Sequence, residues 1–185
     1  GINNTKGQIM DTYASATVNG SNFIGGLVGD NEGSILTSYA SSAVNLTSGV
    51  SVGGFAGINN GSIINSFYNL GLTADDGTGL GMTAAALRQE STFTVAGWDI
   101  GSNGGSGTIW RIYEGNTFPL LRSFLTDLTV TANDLSKVYD GGNFAGGNGV
   151  TFSLTPDAKL LQGTTVYGGS AQGARNVGAY QIDAS

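Results

Sequence analysis

The sequence predicts an all-β chain: a short parallel β-helix, or solenoid, over residues 1–72, a mixed cap containing one short helix over 73–125, and a small, truncated β domain over 126–185. Three observations lead there. One phrase occurs three times, at a spacing of 26 and then 28 residues. Short apolar runs are bounded by Gly and Asn throughout, with 32 glycines and only 2 prolines. A single stretch, from Thr83 to Gln89, carries a good helical signature. A unit of this length cannot bury its own apolar face and must stack on copies of itself.

The first copy runs Gly1-Ile2-Asn3-Asn4, then Gly7-Gln8-Ile9, then Tyr13-Ala14; the second is Gly29-Asp30-Asn31-Glu32-Gly33-Ser34-Ile35 with Tyr39-Ala40. The third is Gly57-Ile58-Asn59-Asn60-Gly61-Ser62-Ile63 with Phe67-Tyr68. Each predicts one strand, over 8–14, 34–40 and 62–68, and a second strand around Val18 and Val44 completes the coil. Parallel strands stacked this way lie about 4.8 Å apart. The paired glycines in Ile24-Gly25-Gly26-Leu27-Val28-Gly29 and Val52-Gly53-Gly54-Phe55-Ala56-Gly57 mark tight corners or close approach of neighbouring backbone. Asn3, Asn31 and Asn59 occupy one equivalent position, where they can tie down a turn and, stacked, form a short amide ladder. That turn role outweighs a ligand-binding one. Strict alternation puts Ile9, Ile35 and Ile63 on one face with Tyr13, Tyr39 and Phe67, yet polar Asp11, Thr37 and Asn65 fall between them. Met10, Leu36 and Ile64 compete for the inward face, so a bulge or bend within the strand is expected.

Residues 73–125 leave the phrase. Thr83 is a natural N-cap for a helix over 84–89, placed to cover the open end of the stack. Phe93, Trp98, Trp110, Ile112, Tyr113, Phe118, Leu120 and Leu121 supply bulky surface for that lid. Such rings can also form a sugar platform, but large aromatics more often build cores. From Thr126, alternating runs predict strands over 128–132, 150–154, 164–167 and 178–182, with a turn at 137–141.

Composition narrows the function. Charged residues make up 11% of the chain and the net charge is -6, which gives a phosphate backbone little to hold and argues against nucleic acid. No apolar run approaches the roughly 20 residues of a membrane span, so no membrane insertion is expected. The chain contains no Cys and no His, which removes thiol nucleophiles, disulfides, common zinc sites and the commonest general base. Freedom from Cys in a Gly/Ser/Thr/Asn-rich chain suits exported proteins that cross membranes unfolded.

Carboxylates of a polysaccharide-cleaving site would cluster on neighbouring levels. Asp11, Asp30 and Glu32 do not: Thr37 and Asn65 stand where Asp11 would recur, and Asn60 where Glu32 would. Asp75-Asp76 reads as a solvated loop, and no calcium-loop pattern occurs. Gly104, Gly105 and Gly107 precede Trp110 rather than a helix, which weakens a phosphate cradle. Asp140 is expected to cap a turn. Asn3, Asn19, Asn45 and Asn60 each have Ser or Thr two residues on, a spacing that chance explains in so Asn-rich a chain. No catalytic, cofactor-binding or metal-binding residue is assigned, no cofactor is expected, and the chain is read as a non-enzyme.

The string Ile24-Gly25-Gly26-Leu27-Val28-Gly29-Asp30-Asn31-Glu32-Gly33-Ser34-Ile35 with Ser38-Tyr39-Ala40 closely resembles the GLUG repeat of large bacterial surface proteins. The first copy departs from it, since Thr5-Lys6 lengthen its turn. Gly97-Trp98-Asp99, Trp110, Glu114-Gly115 and Phe118-Pro119-Leu120-Leu121-Arg122 are similar to the segment closing GLUG arrays in filamentous-haemagglutinin-like adhesins. Lys137-Val138-Tyr139-Asp140-Gly141 and Asn176-Val177-Gly178-Ala179-Tyr180 resemble the glycine-rich, mostly β (YDG/MBG-type) module of two-partner-secreted adhesins; that family's final strand does not follow Ile182, hence the expected truncation. The resemblance implies a fragment of a secreted or surface-attached bacterial adhesin, a structural and recognition stalk for cell adhesion. Its partners would be host or bacterial surface glycans or proteins and flanking domains of the same longer chain. The alternatives are a carbohydrate-active β-helix enzyme and a spacer without ligand.

Overall fold

Strands from successive copies of the phrase lie side by side and parallel. Ile2–Asn3, Val28–Asn31 and Ala56–Asn59 form one such ladder, and Gln8–Met10, Ser34–Leu36 and Ser62–Ile64 a second. Tyr13–Ala14, Tyr39–Ala40 and Phe67–Asn69 make a third, while Thr17–Gly20 pairs with Ala43–Leu46 and Ile24–Gly25 with Val52–Gly53. Registered partners such as Ile9 and Ile35, or Ile35 and Ile63, differ by the sequence period. The computed structural model describes residues 1–72, 78–157, 161 and 164–185. The chain divides into two units, Gly1–Leu125 and Thr126–Ser185; it is mostly β, with parallel sheets and a short helix.

Glycine permits the close spacing. A Cβ at Gly26 would run into the Gly54 carbonyl oxygen, one at Gly33 into that of Gly7, and one at Gly61 into that of Gly33. None of the three has a positive φ, so close backbone approach, not turn conformation, demands glycine there. Beside this column runs the amide ladder: Asn3 Nδ2 donates to Asn31 Oδ1 at 2.7 Å, and Asn31 Nδ2 to Asn59 Oδ1 at 2.7 Å. Asn31 is fully buried. Buried amides are tolerated when their partners are built in, and each level here supplies the partner of the next.

The single strands expected over 8–14, 34–40 and 62–68 are each two strands with a sharp corner between them. Asp11, Thr37 and Asn65 occupy the left-handed region, with φ of 48°, 43° and 49°. Asn and Asp adopt it readily, whereas β-branched Thr37 does so under strain. The next residue closes the corner: Ser38 Oγ donates to Leu36 O at 2.7 Å and accepts the Thr12 N–H at 3.2 Å, and Ser66 repeats this with Ile64 O and the Ser38 N–H. The corner also redistributes the faces. Ile35 joins Val28, Ala40, Phe55, Ala56 and Tyr68 in one buried cluster, while Tyr39 and Phe67 belong to another. The isoleucines and aromatics that simple alternation would put together therefore serve different cores.

Much of the middle segment packs into that second core. Leu87, Phe93, Trp98, Ile100, Trp110 and Ile112 pack against Tyr39 and Phe67, with Tyr13 at the margin. Tyr13 and Tyr39 stack at 5.4 Å and 9°; Trp98 Nε1 donates to Asn65 O at 2.7 Å, and Tyr39 Oη to Pro119 O at 2.8 Å. This part of the segment lies along the aromatic side chains Tyr13, Tyr39 and Phe67 of the three copies. A shorter piece lies over the third level. Thr78 Oγ1 donates to Ala56 O at 2.9 Å, and Leu80–Met82 pairs in parallel with Phe67–Asn69.

The expected helix is also displaced. Thr83 Oγ1 accepts the Ala86 N–H at 3.1 Å, but only the 3-10 turn Ala86–Arg88 follows, and the α-helix is Glu90–Thr94. Contacts from 114–115 cause the break: the Gly115 N–H takes the Arg88 carbonyl at 2.8 Å and Glu114 takes the Glu90 N–H at 2.7 Å. Gln89 between them is extended. Ile100–Gly101, Trp110–Arg111 and Leu120–Leu121 then form a small mixed sheet.

In the second unit Val130–Ala132 pairs antiparallel with Val150–Phe152, and Tyr167–Gly168 with Asp183–Ala184. The strand expected over 178–182 instead begins at Asp183. Tyr180 Oη donates to Asn176 O at 3.1 Å, and the Gln181 N–H to Ser170 Oγ at 3.0 Å, which holds this stretch as a turn.

Two substitutions test the stack. Asn31→Ala strands the Asn3 donor and the Asn59 acceptor, and should lower the unfolding free energy in a urea titration by about 2–3 kcal/mol; Asn45→Ala, at the exposed Asn19–Asn45 pair, should cost less than about 1 kcal/mol. Thr37→Asn relieves the left-handed strain but gives up the Thr37 hydroxyl's hydrogen bond to Asp11 at 2.6 Å, so the two effects should offset and stability should change by less than about 1 kcal/mol in the same titration.

Candidate functional site

Of the three acidic sequence candidates in the first unit, Asp11 and Glu32 make structural hydrogen bonds, while Asp30 Oδ1 is buried without a hydrogen-bond partner among the described residues. Asp11 Oδ1 accepts Thr37 Oγ1 at 2.6 Å and Trp110 Nε1 at 3.4 Å, pinning the corner to the aromatic core. Glu32 accepts Thr5 Oγ1 at 3.3 Å. Asp30 lies in register between Ile2 and Ile58, so no carboxylate is stacked beside it in the ladder. Among the described residues no group of three or more metal-type ligands gathers. Asp75 and Asp76 lie outside the described residues.

The remaining sequence candidates sort by exposure. Trp98 and Trp110 are 5% and 0% exposed, so neither ring offers a face to a sugar. Burial, and secondarily Tyr13 nearby, pushes the Tyr39 hydroxyl's pKa well above the usual tyrosine value; it stays protonated as a donor to Pro119. Gly104, Gly105 and Gly107 have open space where a Cβ would sit, unlike a glycine loop closed around an anion. Asn3 is buried in the amide ladder, whereas Asn19, Asn45 and Asn60 are exposed. No helix among the described residues is long and apolar enough to cross a membrane.

Each unit presents a concave surface among the described residues. The first is a polar trough of about 570 Å³ across the three levels, its floor set by Gly7, Gly33 and Gly61 and its walls by Lys6, Gln8 and Glu32. The second, of about 470 Å³, has the size of a small-ligand site. It is bounded by the Asp134–Phe144 stretch and the 174–182 stretch, including Lys137, Tyr139, Asp140, Arg175 and Tyr180. This cleft is the candidate site.

Its frame rests on short polar contacts, since Ala171 is the one buried apolar residue of this unit among the described residues. Phe144 N–H donates to Ala174 O and Gly173 N–H to Phe144 O, each at 2.8 Å. Gln172 adds a two-point clasp, donating to Gly146 O and accepting its N–H, both at 2.9 Å. Asp140 caps its turn as expected from sequence: Oδ1 accepts Gly142 N–H at 2.9 Å and Lys137 Nζ at 2.9 Å, where Gly141 has a φ of 74°. The Lys137 contact first, and the Gly142 N–H second, hold the Asp140 carboxyl below the usual aspartate range. Arg175 Nε donates to Gly141 O at 2.9 Å, joining the two walls.

Tyr139, Tyr180 and Arg175 were not singled out as functional from sequence. Their signal was present in the Tyr-Asp-Gly and Asn-Val-Gly-Ala-Tyr strings, but each reads alone as turn chemistry. No family model, curated protein or solved structure matches the chain.

A group whose folded pKa is depressed contributes stability above its unfolded pKa and loses it as pH falls through the folded value. The Asp140 cap should therefore hold above about pH 4 and fade below it. Exchange of the Gly142 amide hydrogen, followed between about pH 5 and 2, should lose protection relative to Asp140→Asn only in the acid range.

Proposed function

We propose that residues 1–72 are turns of a short parallel β-helix, and that the chain is part of the stalk of a secreted or surface-attached bacterial adhesin, serving cell adhesion by structure and recognition. One observation carries this reading: equivalent residues of three successive copies stack in register, with a glycine column, an amide ladder and an aromatic column running through them. Such an arrangement extends by addition of like units and presents a long lateral surface. Asp11 ties a corner within it, and Asp140 caps a turn of the second unit. The GLUG-like and YDG-like strings supply the bacterial surface setting, and surface glycans or proteins are the partners such a stalk would meet.

A carbohydrate-active enzyme is the rival reading, and one assay separates them. The chain is incubated with a panel of bacterial and host polysaccharides while released reducing ends are measured and retention on a glycan array is read in parallel. The adhesive reading expects retention without release, unchanged in Asp11→Asn, Asp30→Asn and Glu32→Gln. Release that disappears in one of these variants replaces it with the enzyme, and uniform silence replaces it with a spacer.

A further inference from the structure

From the cleft of the second unit we infer a binding site for an acidic sugar, its ring resting on Tyr139 and its carboxylate on Arg175; the biological setting rests on the recognition reading above. Tyr139 and Tyr180 are 64% and 44% exposed, and neither ring meets another aromatic among the described residues. A buried phenol would be explained by packing, but exposed rings in a unit this poor in core are free to cover the C–H face of a pyranose.

The polar groups divide into occupied and available donors and acceptors. Lys137 is engaged with Asp140 at 2.9 Å. The two contacts that Asp140 receives from Lys137 and Gly142 both fall on Oδ1, so Oδ2 is available to accept a sugar hydroxyl. Arg175 uses only Nε, on the Gly141 carbonyl, and has no carboxylate partner among the described residues. Its two terminal nitrogens retain the fork that matches a carboxylate at two points. That hydrogen bond to Gly141 also fixes the guanidinium against the turn that carries Tyr139, so ring and cation are positioned together. Asp134 is the second acidic group at the cleft; it disfavours highly charged polyanions and suits a ligand with one carboxylate per sugar. A neutral sugar would leave the Arg175 fork unused, and a purely apolar ligand would leave Asp140 Oδ2 and the fork unpaired.

The test is a titration of the whole chain, by heteronuclear NMR, with an oligogalacturonate tetramer and with its fully methyl-esterified form, in which each carboxylate is replaced by a neutral methyl ester. Expected are shifts at Tyr139, Gly141 and Arg175, and at least tenfold weaker binding of the ester. Arg175→Gln should weaken the acid form tenfold or more and abolish its preference over the ester. Because Arg175 also joins the two walls, Tyr139→Ala, at a side chain with no hydrogen-bond partner among the described residues, provides a variant that keeps the frame and should still weaken binding severalfold. Equal binding of acid and ester, binding unaffected by both variants, or no binding of either tetramer would overturn the assignment. Preferential binding of an acidic peptide over the acid tetramer would overturn it too, in favour of protein recognition. The polysaccharide-release assay above is unaffected by any of these outcomes.

Discussion

Close approach of backbone to backbone between successive copies of the phrase governs the first unit. At Gly26, Gly33 and Gly61 the carbonyl of an adjacent copy stands where a Cβ would be, so the ladders close only if these positions carry no side chain. Everything else in the unit follows from that spacing. The Asn3–Asn31–Asn59 chain of amides can form because three equivalent side chains are brought within hydrogen-bonding reach, and the Tyr13–Tyr39 stack forms because two rings are held one strand apart. Neither contact would exist in an isolated copy, which is why the unit is cooperative across levels rather than within them.

The left-handed corners at Asp11, Thr37 and Asn65 give the stack two apolar surfaces instead of one. Ile35 before the corner, with Ala40 and Tyr68 beyond it, looks into the cluster with Phe55; Tyr39 and Phe67, the alternate residues beyond the corner, face the other way and pack with Phe93, Trp98 and Trp110. Trp98 and Trp110 anchor to the corner residues themselves, through Asn65 O and Asp11 Oδ1. The middle segment is thereby fastened to the feature that creates its docking surface. The second unit is organised on a different principle, with turn caps, a glutamine clasp and two short antiparallel pairs in place of a core. Its aromatics are left at the surface, where they are available for contact.

The parts legible in the sequence were those written as columns of equivalent letters. Glycine spacing, the amide ladder and the parallel register all follow from aligning three copies, and the failure of alternation at Asp11, Thr37 and Asn65 announced a bend. The helix was misplaced because propensity at Ala84-Ala85-Ala86 was overridden by Glu114 and Gly115, which are distant in sequence and capture the backbone on either side of Gln89. The packing of the middle segment along the aromatic column was hidden for a similar reason: a run of bulky residues reports burial, not the surface against which it is buried. In the second unit the strands are two or three residues long, too short to impose a period. The candidate cleft unites two stretches distant in sequence, joined by the Phe144–Ala174 and Arg175–Gly141 hydrogen bonds, neither of which leaves a pattern in the sequence.

Because the chain has no native cysteine, cross-linking gives a direct reading of which residues are neighbours between levels. Ser34 and Ser62 are registered partners, within the Cα separation that a disulfide spans, while Ser34 and Ser48 are half a period apart. In the Ser34→Cys/Ser62→Cys chain, mild oxidation should give an intramolecular disulfide in high yield with the fold retained, and the Ser34→Cys/Ser48→Cys chain should give little. Failure of the first pair to close, or equal closure of the second, would contradict parallel stacking at the spacing of the sequence phrase.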